Sequence, residues 1–337
     1  YSPSARLFPY ISSQREGEVL EKILSFPPIG EEDANWHANP FRELDHNNDS
    51  DRFFEDAEKG EYPILGGGNV FQFAYDNTAI SDLKEPKFWS VYEDTDKASS
   101  ARQRVREKKV RDLKKSIYDE FDGTGSQKGF VNDLLNDERG EPLSEDDVKL
   151  DCDEYRVAFR QIARSTDERT LIASLLPKEY MCDTTLQPIQ LLEPNPSRED
   201  LSESPLHAAY DRIFSDREML AMLGLLNSIP FDFLMRIKVD VTVVMYKFKE
   251  SQIPRLSEGD DWFQYISDRA ARLNCYGDEF ADMRKRLGGV DAVTQLEKRK
   301  EIQAEIDAAA MHAYGLNRRD AEFVLNDFHR VSNPRIM

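Results

Sequence analysis

Tyr155-Arg-Val-Ala-Phe-Arg-Gln-Ile162 and Leu171-Ile-Ala-Ser-Leu-Leu176 are two apolar segments separated by the polar turn Arg164-Ser-Thr-Asp-Glu-Arg169. Short runs rich in Val, Ile and Phe with polar punctuation between them read as strands, and a mixed sheet houses them most simply. Toward the N-terminus lie further strand-like segments: Tyr62-Pro-Ile-Leu65, a Gly66-Gly67-Gly68 hairpin turn, Val70-Phe-Gln-Phe-Ala-Tyr75 and Phe88-Trp-Ser-Val-Tyr92. Toward the C-terminus the pattern turns helical. Ser215-Asp-Arg-Glu218 is a capping box opening a Leu/Met-rich helix. Asn227-Ser-Ile-Pro230 interrupts that helix, and Phe231 to Arg236 resumes it before the β-branched Val239 to Val244. Trp262 to Leu287, Asp291 to Tyr314 and Arg318 to Phe328, with Asn317 as N-cap, read as helices, Gly315 closing the second of them. In that second helix Ile302, Ile306, Ala309 and Ala313 make a narrow stripe suited to packing on a partner helix.

The fold class expected is therefore mixed α/β, a recognition-type domain with a small sheet followed by a helical region. The expected division is an arm at 1–60, including a helix from Ser13 to Leu24, a domain at 61–256 carrying a basic helical insertion at 97–153, and a helical region at 257–337. Within the insertion, Ala98 to Phe121 lacks Gly and Pro and reads as an exposed helix, and Asn132 to Asp153 reads as an acidic linker. With 337 residues, 39% apolar and 10% aromatic, the chain has enough material for a sizeable core. No apolar run approaches the roughly 18 residues that span a bilayer, and Tyr1-Ser2-Pro3 has no signal pattern, so a fragment of a longer, cytoplasmic protein is expected, with no membrane partner. Cys152, Cys182 and Cys275 form neither a disulfide framework nor a zinc knuckle.

The charge is unevenly placed. The chain carries −19, a burden that suits high internal salt and a halophilic source. Between Lys97 and Lys115, however, nine cations face only Glu107 and Asp112, a local net of +7 that leaves −26 for the rest. Arg102, Arg104, Arg106, Lys108, Lys109, Arg111, Lys114 and Lys115 are accordingly candidates for phosphate contact, because two acids do not neutralise nine bases. The bland alternative is a solvated helix face paired internally.

Catalytic chemistry has little footing in these residues. A methyltransferase using S-adenosylmethionine needs a glycine-rich turn after a strand, and adenine-N6 chemistry needs an Asn/Asp-Pro-Pro-aromatic loop. Phe26-Pro27-Pro28-Ile29 lacks the polar residue before the prolines and the aromatic after them. His37, His46, His207, His312 and His329 have no metal-binding spacing. Glu85-Pro-Lys87 is a weak nuclease-like pattern. No catalytic, cofactor-binding or metal-binding residue is therefore assigned in this chain.

Several segments, taken in order, resemble the C-terminal part of large adenine-specific DNA methyltransferases, the type IIG restriction enzyme-methylases and their relatives in BREX- and DISARM-like phage defence. Phe41-Arg-Glu-Leu-Asp45 with Asn48-Asp49-Ser50 and Phe53 resembles the family's exit arm. Tyr62-Pro-Ile-Leu65 with Gly67 and Val70-Phe-Gln-Phe73 resembles the strand segment that follows, lacking its lysine and histidine. Tyr155 to Pro177 is the most specific match. Leu225 to Arg236, Glu250 to Pro254, and Ala304 to Ala309 with Tyr314-Gly-Leu316 and Phe323 to Phe328 complete the order. The resemblance covers nearly the whole chain except 97–153. It implies a target-recognition part that clasps double-stranded DNA, while a missing N-terminal domain binds S-adenosylmethionine and methylates a flipped adenine. Arg164 and Arg169 then become either phosphate contacts or parts of a fixed turn. Arg236 and Lys238 divide between DNA contact and favourable placement at a helix C-terminus. Outside that implication, a nuclease or a scaffold of a defence complex remains open.

Overall fold

The computed structural model describes residues 11–32, 35–90, 101–162, 168–239 and 241–328. Arg164 and Lys97 lie outside these, as does the side chain of Arg102.

The N-terminal half supplies helix α1 (Gln14–Leu24), the single turn α2 (His46–Asp49), strands β1 (Phe53–Phe54), β2 (Gly60–Leu65) and β3 (Lys87–Ser90), and helices α3 (Ala101–Glu120) and α4 (Gln127–Arg139). Six short strands follow: β4 (Arg156–Arg160), β5 (Ala173–Leu176), β6 (Met181–Cys182), β7 (Leu186–Pro188), β8 (Leu192–Pro194) and β9 (Tyr210–Arg212). The remainder is helical: α5 (Asp216–Leu226), α6 (Ile229–Lys238), α7 (Met245–Lys249), α8 (Phe263–Asn274), α9 (Ala281–Arg286), α10 (Leu296–Ala313) and α11 (Arg318–Asp327). The α/β class expected from the sequence is the class observed.

Three small sheets have the orders β1-β3-β2-β6, β5-β4-β7 and β8-β9. The central one is the predicted pair Tyr155–Ile162 and Leu171–Leu176. β4 and β5 run antiparallel with Val157 opposite Leu175, and nearly every residue in both is buried. β5 has no strand on its outer side. Its edge is closed instead by two asparagines at helix ends. Asn227, the C-cap of α5, donates Nδ2 to Ala173 O at 2.9 Å and accepts Ala173 N on Oδ1 at 3.0 Å. Asn274, the last residue of α8, makes the same two-way pair with Leu175, at 2.9 Å in each direction. Each side-chain amide thus imitates one residue of a neighbouring strand. The outward amides of Ala173 and Leu175, otherwise buried without an acceptor, are satisfied in this way, and the carbonyls gain a donor.

Local chemistry starts the helices where the sequence predicts. Ser215 Oγ accepts Glu218 N at 3.2 Å while Glu218 Oε2 accepts Ser215 N at 2.8 Å, the reciprocal capping box of α5. Pro230 sits in the first turn of α6, where its missing N–H costs nothing. α5 and α6 are bent by 62° at the break, and among the described residues no single helix is long and apolar enough to cross a membrane. α5 packs on α8, and α10 packs on α8, α6 and α5. The Ile302/Ile306/Ala309 stripe is consumed inside this chain.

Four expectations are corrected. The acidic linker at 132–153 begins as helix α4, capped by Ser126 and ended by Gly140 at φ +82°. Val131 and Leu135, one turn apart, are buried against α3, a stripe that the surrounding acids obscure in sequence. Val70 to Tyr75 is buried but not a strand: Phe71 bridges Ala74, Phe73 takes φ +56°, and Phe73 N donates to Ala173 O at 3.1 Å. Gly66 to Gly68 is no hairpin turn. It opens a 3₁₀ turn, Gly67–Asn69, closed by Gly66 N donating to Asn69 Oδ1 at 2.6 Å. Finally, Trp262 to Leu287 is two helices, because the chain must leave α8 at Asn274 for that side chain to reach β5, and Gly277 turns at φ +76°.

Candidate nucleic-acid interface

α3 divides its cations between two faces. Val105, Lys109, Leu113 and Ile117 recur every four residues and form the buried row. Lys109 Nζ lies 2.5 Å from Asp151 Oδ2, and Asp151 Oδ1 accepts Leu191 N and Leu192 N at 2.7 and 2.9 Å. Lys108 donates to the backbone oxygen of Glu43, and burial pulls its ammonium below the ordinary lysine range. Arg104 pairs with the buried Asp49 at 3.2 Å and Arg106 with Asp146 at 3.3 Å. These four cations are anchors: their counter-charges come from residues 43–49 and 146–151, not from within the helix. Beneath them Arg156 and Glu43 make a fully buried ion pair at 2.6 Å, in which Glu43 also accepts Cys182 N at 2.7 Å. Burial holds the Glu43 carboxyl above its ordinary range against the pull of Arg156.

Arg111, Lys114 and Lys115 are different. Arg111 and Lys115 are exposed and Lys114 half-buried, and none of them has an ion-pair partner among the described residues. Together they give α3 a cationic outer edge held on a frame of four anchored side chains. The neighbouring exposed acids Asp112 and Asp119 interrupt that edge without pairing with it.

The cations of the resembling segments point inward. Arg169 is buried, 3.5 Å from Asp307 Oδ2, with its guanidinium 5.6 Å from the Phe328 ring centroid. Arg236 pairs with Asp232 Oδ2 at 3.1 Å, donates to Glu168 O at 3.0 Å and lies 4.3 Å over Phe328. Asp232 Oδ1 accepts the amides of Thr170 and Leu171 at 2.7 and 2.8 Å, and burial raises its carboxyl above the usual range. Lys238 Nζ, buried, donates to Glu250 O at 2.7 Å and sits near Ser251 Oγ and Gln252 Oε1, and burial lowers its pKa to about 8. Arg169 and Arg236 thus tie residues 168–169 to α10 and α6, while Lys238 ties the end of α6 to residues 250–252.

Arg160, like Arg164 and Arg169, invites a DNA reading from sequence against a structural one, whereas the sequence does not single out Lys84. Arg160 and Lys84 flank the Gly66–Asn69 turn. Arg160 donates Nε to Val70 O at 2.6 Å and its guanidinium lies 5.6 Å over Phe71. A Cβ at Gly68 would meet the Lys84 chain at 2.8 Å, so that chain lies across the turn. Close in the chain to Arg160, Ile162 is 60% exposed and bridges Thr242, beside Val241 at 55%. The triple glycine announces a turn, but nothing local in Ser81-Asp-Leu-Lys84 announces its cationic neighbour.

No group of His, Cys, Asp and Glu among the described residues could hold a metal ion. Glu85 is exposed and accepts Asn77 Nδ2 at 3.2 Å, with no second acid joined to it in the described hydrogen-bond or ion-pair network.

No protein-family model matches the sequence, and no curated protein matches it. Among solved structures, the chain is similar to the Type IIL restriction-modification enzyme MmeI in complex with DNA, at 10% identity and a TM-score of 0.33. The match covers 90% of this chain and 35% of that one, so the chain spans about a third of the length of the enzyme it matches. At that TM-score the likeness does not establish a common fold.

Proposed function

We propose that this chain is the DNA-binding, target-recognition part of an adenine-N6 DNA methyltransferase of a restriction-modification or phage-defence system. S-adenosylmethionine and the methyl-transfer chemistry belong to a domain outside it. The ordered segments from Phe41 to Phe328 support the family reading, and the outer edge of α3 is the observation that carries DNA contact. Arg111, Lys114 and Lys115 meet solvent on a helix fixed by Lys109–Asp151, Arg104–Asp49, Arg106–Asp146 and Lys108–Glu43. Free cations on a helix already fixed in place neutralise phosphates with only their own side chains left to order, and they give register and affinity rather than base readout. The remaining acidic surface repels phosphate, which confines the duplex to such edges.

Fluorescence anisotropy with a labelled DNA duplex tests this. Binding is expected at 50 mM salt and weakens by at least about tenfold at 200 mM, as counterion release requires for a few phosphate contacts. No binding at 50 mM salt overturns the reading.

A further inference from the structure

We infer, on the DNA reading of the α3 edge, that Asp151 is its positioning residue: it clasps the middle of α3 to residues 191–194 and so fixes the stretch that carries Arg111, Lys114 and Lys115. Two grips hold that stretch. At one end Lys109 Nζ lies 2.5 Å from Asp151 Oδ2, while Asp151 Oδ1 accepts Leu191 N and Leu192 N at 2.7 and 2.9 Å. At the other end Ser116 Oγ donates to Pro194 O at 3.1 Å. From Lys109 to Ser116 the helix rises roughly 10 Å, and extended chain from Leu191 to Pro194 covers roughly the same length. The spans match, so β8 with the residue before it lies as a splint along α3. Arg111, Lys114 and Lys115 all fall between the grips.

The other anchors of α3 do not replace this clasp. Asp146, the partner of Arg106, is 84% exposed, and Arg104 is 38% exposed, so water screens both pairs. Lys108 meets a neutral backbone oxygen, that of Glu43. Lys109 and Asp151, by contrast, are 8% and 1% exposed, and the ammonium lies 5.3 Å from the Phe41 ring centroid. Removing one partner of so dry a pair strands a charge that the site does not tolerate. α3 then shifts until Lys109 reaches water, and the cations between the grips move with it. Phosphate contacts set register on the duplex, so a displaced helix engages fewer of them.

The test measures duplex binding by the whole chain over a salt series, with amide hydrogen exchange on the same samples. Asp151→Asn keeps an acceptor for the two amides but turns an amide donor toward Lys109. Its slope of log Kobs against log salt is expected to be shallower than the parent's by about one for each phosphate lost, with exchange at residues 109–117 at least about tenfold faster. A merely structural role would lower the folded fraction and leave the slope of the folded molecules unchanged. Adding Lys109→Met removes the stranded charge and extends the buried row of Val105, Leu113 and Ile117, so both readouts return to the parent's. Asp151→Glu keeps the charge but lengthens the reach, is also expected to flatten the slope, and carries the test if Asp151→Asn does not fold. A parent-like slope in the folded variant overturns the clasp. So does a double variant that stays as shallow as Asp151→Asn, which would make Lys109 itself a phosphate contact. A parent chain that binds no duplex overturns the DNA reading instead, and the exchange rates still decide whether Asp151 holds α3.

Discussion

The two faces of α3 carry the same kinds of side chain and do different things. Lys109 lies against Asp151 inside the protein, whereas Lys115, six residues on, faces water without a partner among the described residues. Arg169, Arg236 and Lys238 extend the contrast, since all three are turned inward. A cation's role is thus set by whether the fold delivers acceptors to it, carboxylates for Lys109, Arg104, Arg169 and Arg236 and neutral oxygens for Lys108 and Lys238. Asp49, Asp146 and Asp151 reach α3 from 40 or more residues away, which no local charge count can include.

Breaking the inward set should cost most. Arg156→Met strands the buried Glu43 carboxylate and should lower stability by about 3–5 kcal/mol in urea unfolding, with much of the loss recovered when Glu43→Gln is added. A loss below about 1 kcal/mol would show that the pair is not fully buried. Next comes the edge of β5. Asn274→Ala leaves the amide of Leu175 unpaired and its carbonyl with Ser174 Oγ alone, and should cost about 2–3 kcal/mol, raising hydrogen exchange at Leu175 first.

Lys238 sharpens the comparison through pH. Its folded pKa of about 8 lies below the unfolded lysine value, so the folded state holds fewer protons between about pH 8 and 10.5. Stability contributed by this group therefore rises with pH across that window, by about 1–3 kcal/mol, and the cost of the buried charge is fully present below pH 8. Lys238→Met should flatten that rise, and an unchanged pH slope would place the ammonium in solvent.

Much of this was legible from residue order. The helix starting at Ser13, the caps at Ser215 and Asn317, the β4–β5 pair and the break near Pro230 all follow from local rules, and each lies where the sequence predicts it to within a residue or two. What was not legible depends on distance along the chain. Asn227 and Asn274 look like ordinary helix ends until β5 is placed beside them. α4 hides a two-residue apolar stripe among acids, and Val70–Tyr75 has a strand's alternation but gives its backbone to Ala173 and to its own turn. For the candidate interface, the helix and its charge were readable, whereas the split into anchors and free edge was not. Lys84 and Arg160 flank one turn only because the Gly66–Asn69 segment packs beside β4.

The outward set should be nearly silent in stability and loud in DNA binding. The triple substitution Arg111→Gln, Lys114→Gln, Lys115→Gln should change unfolding free energy by less than about 0.5 kcal/mol, since these side chains have no ion-pair partner among the described residues. The decisive measurement is the slope of log Kobs for duplex DNA against log salt, taken on this variant and the parent chain together. If the edge of α3 holds phosphates, the slope becomes shallower by about one for each phosphate that is no longer neutralised, close to three for the triple variant. Equal slopes in two equally stable proteins would contradict the account and move DNA contact, if any, to another surface.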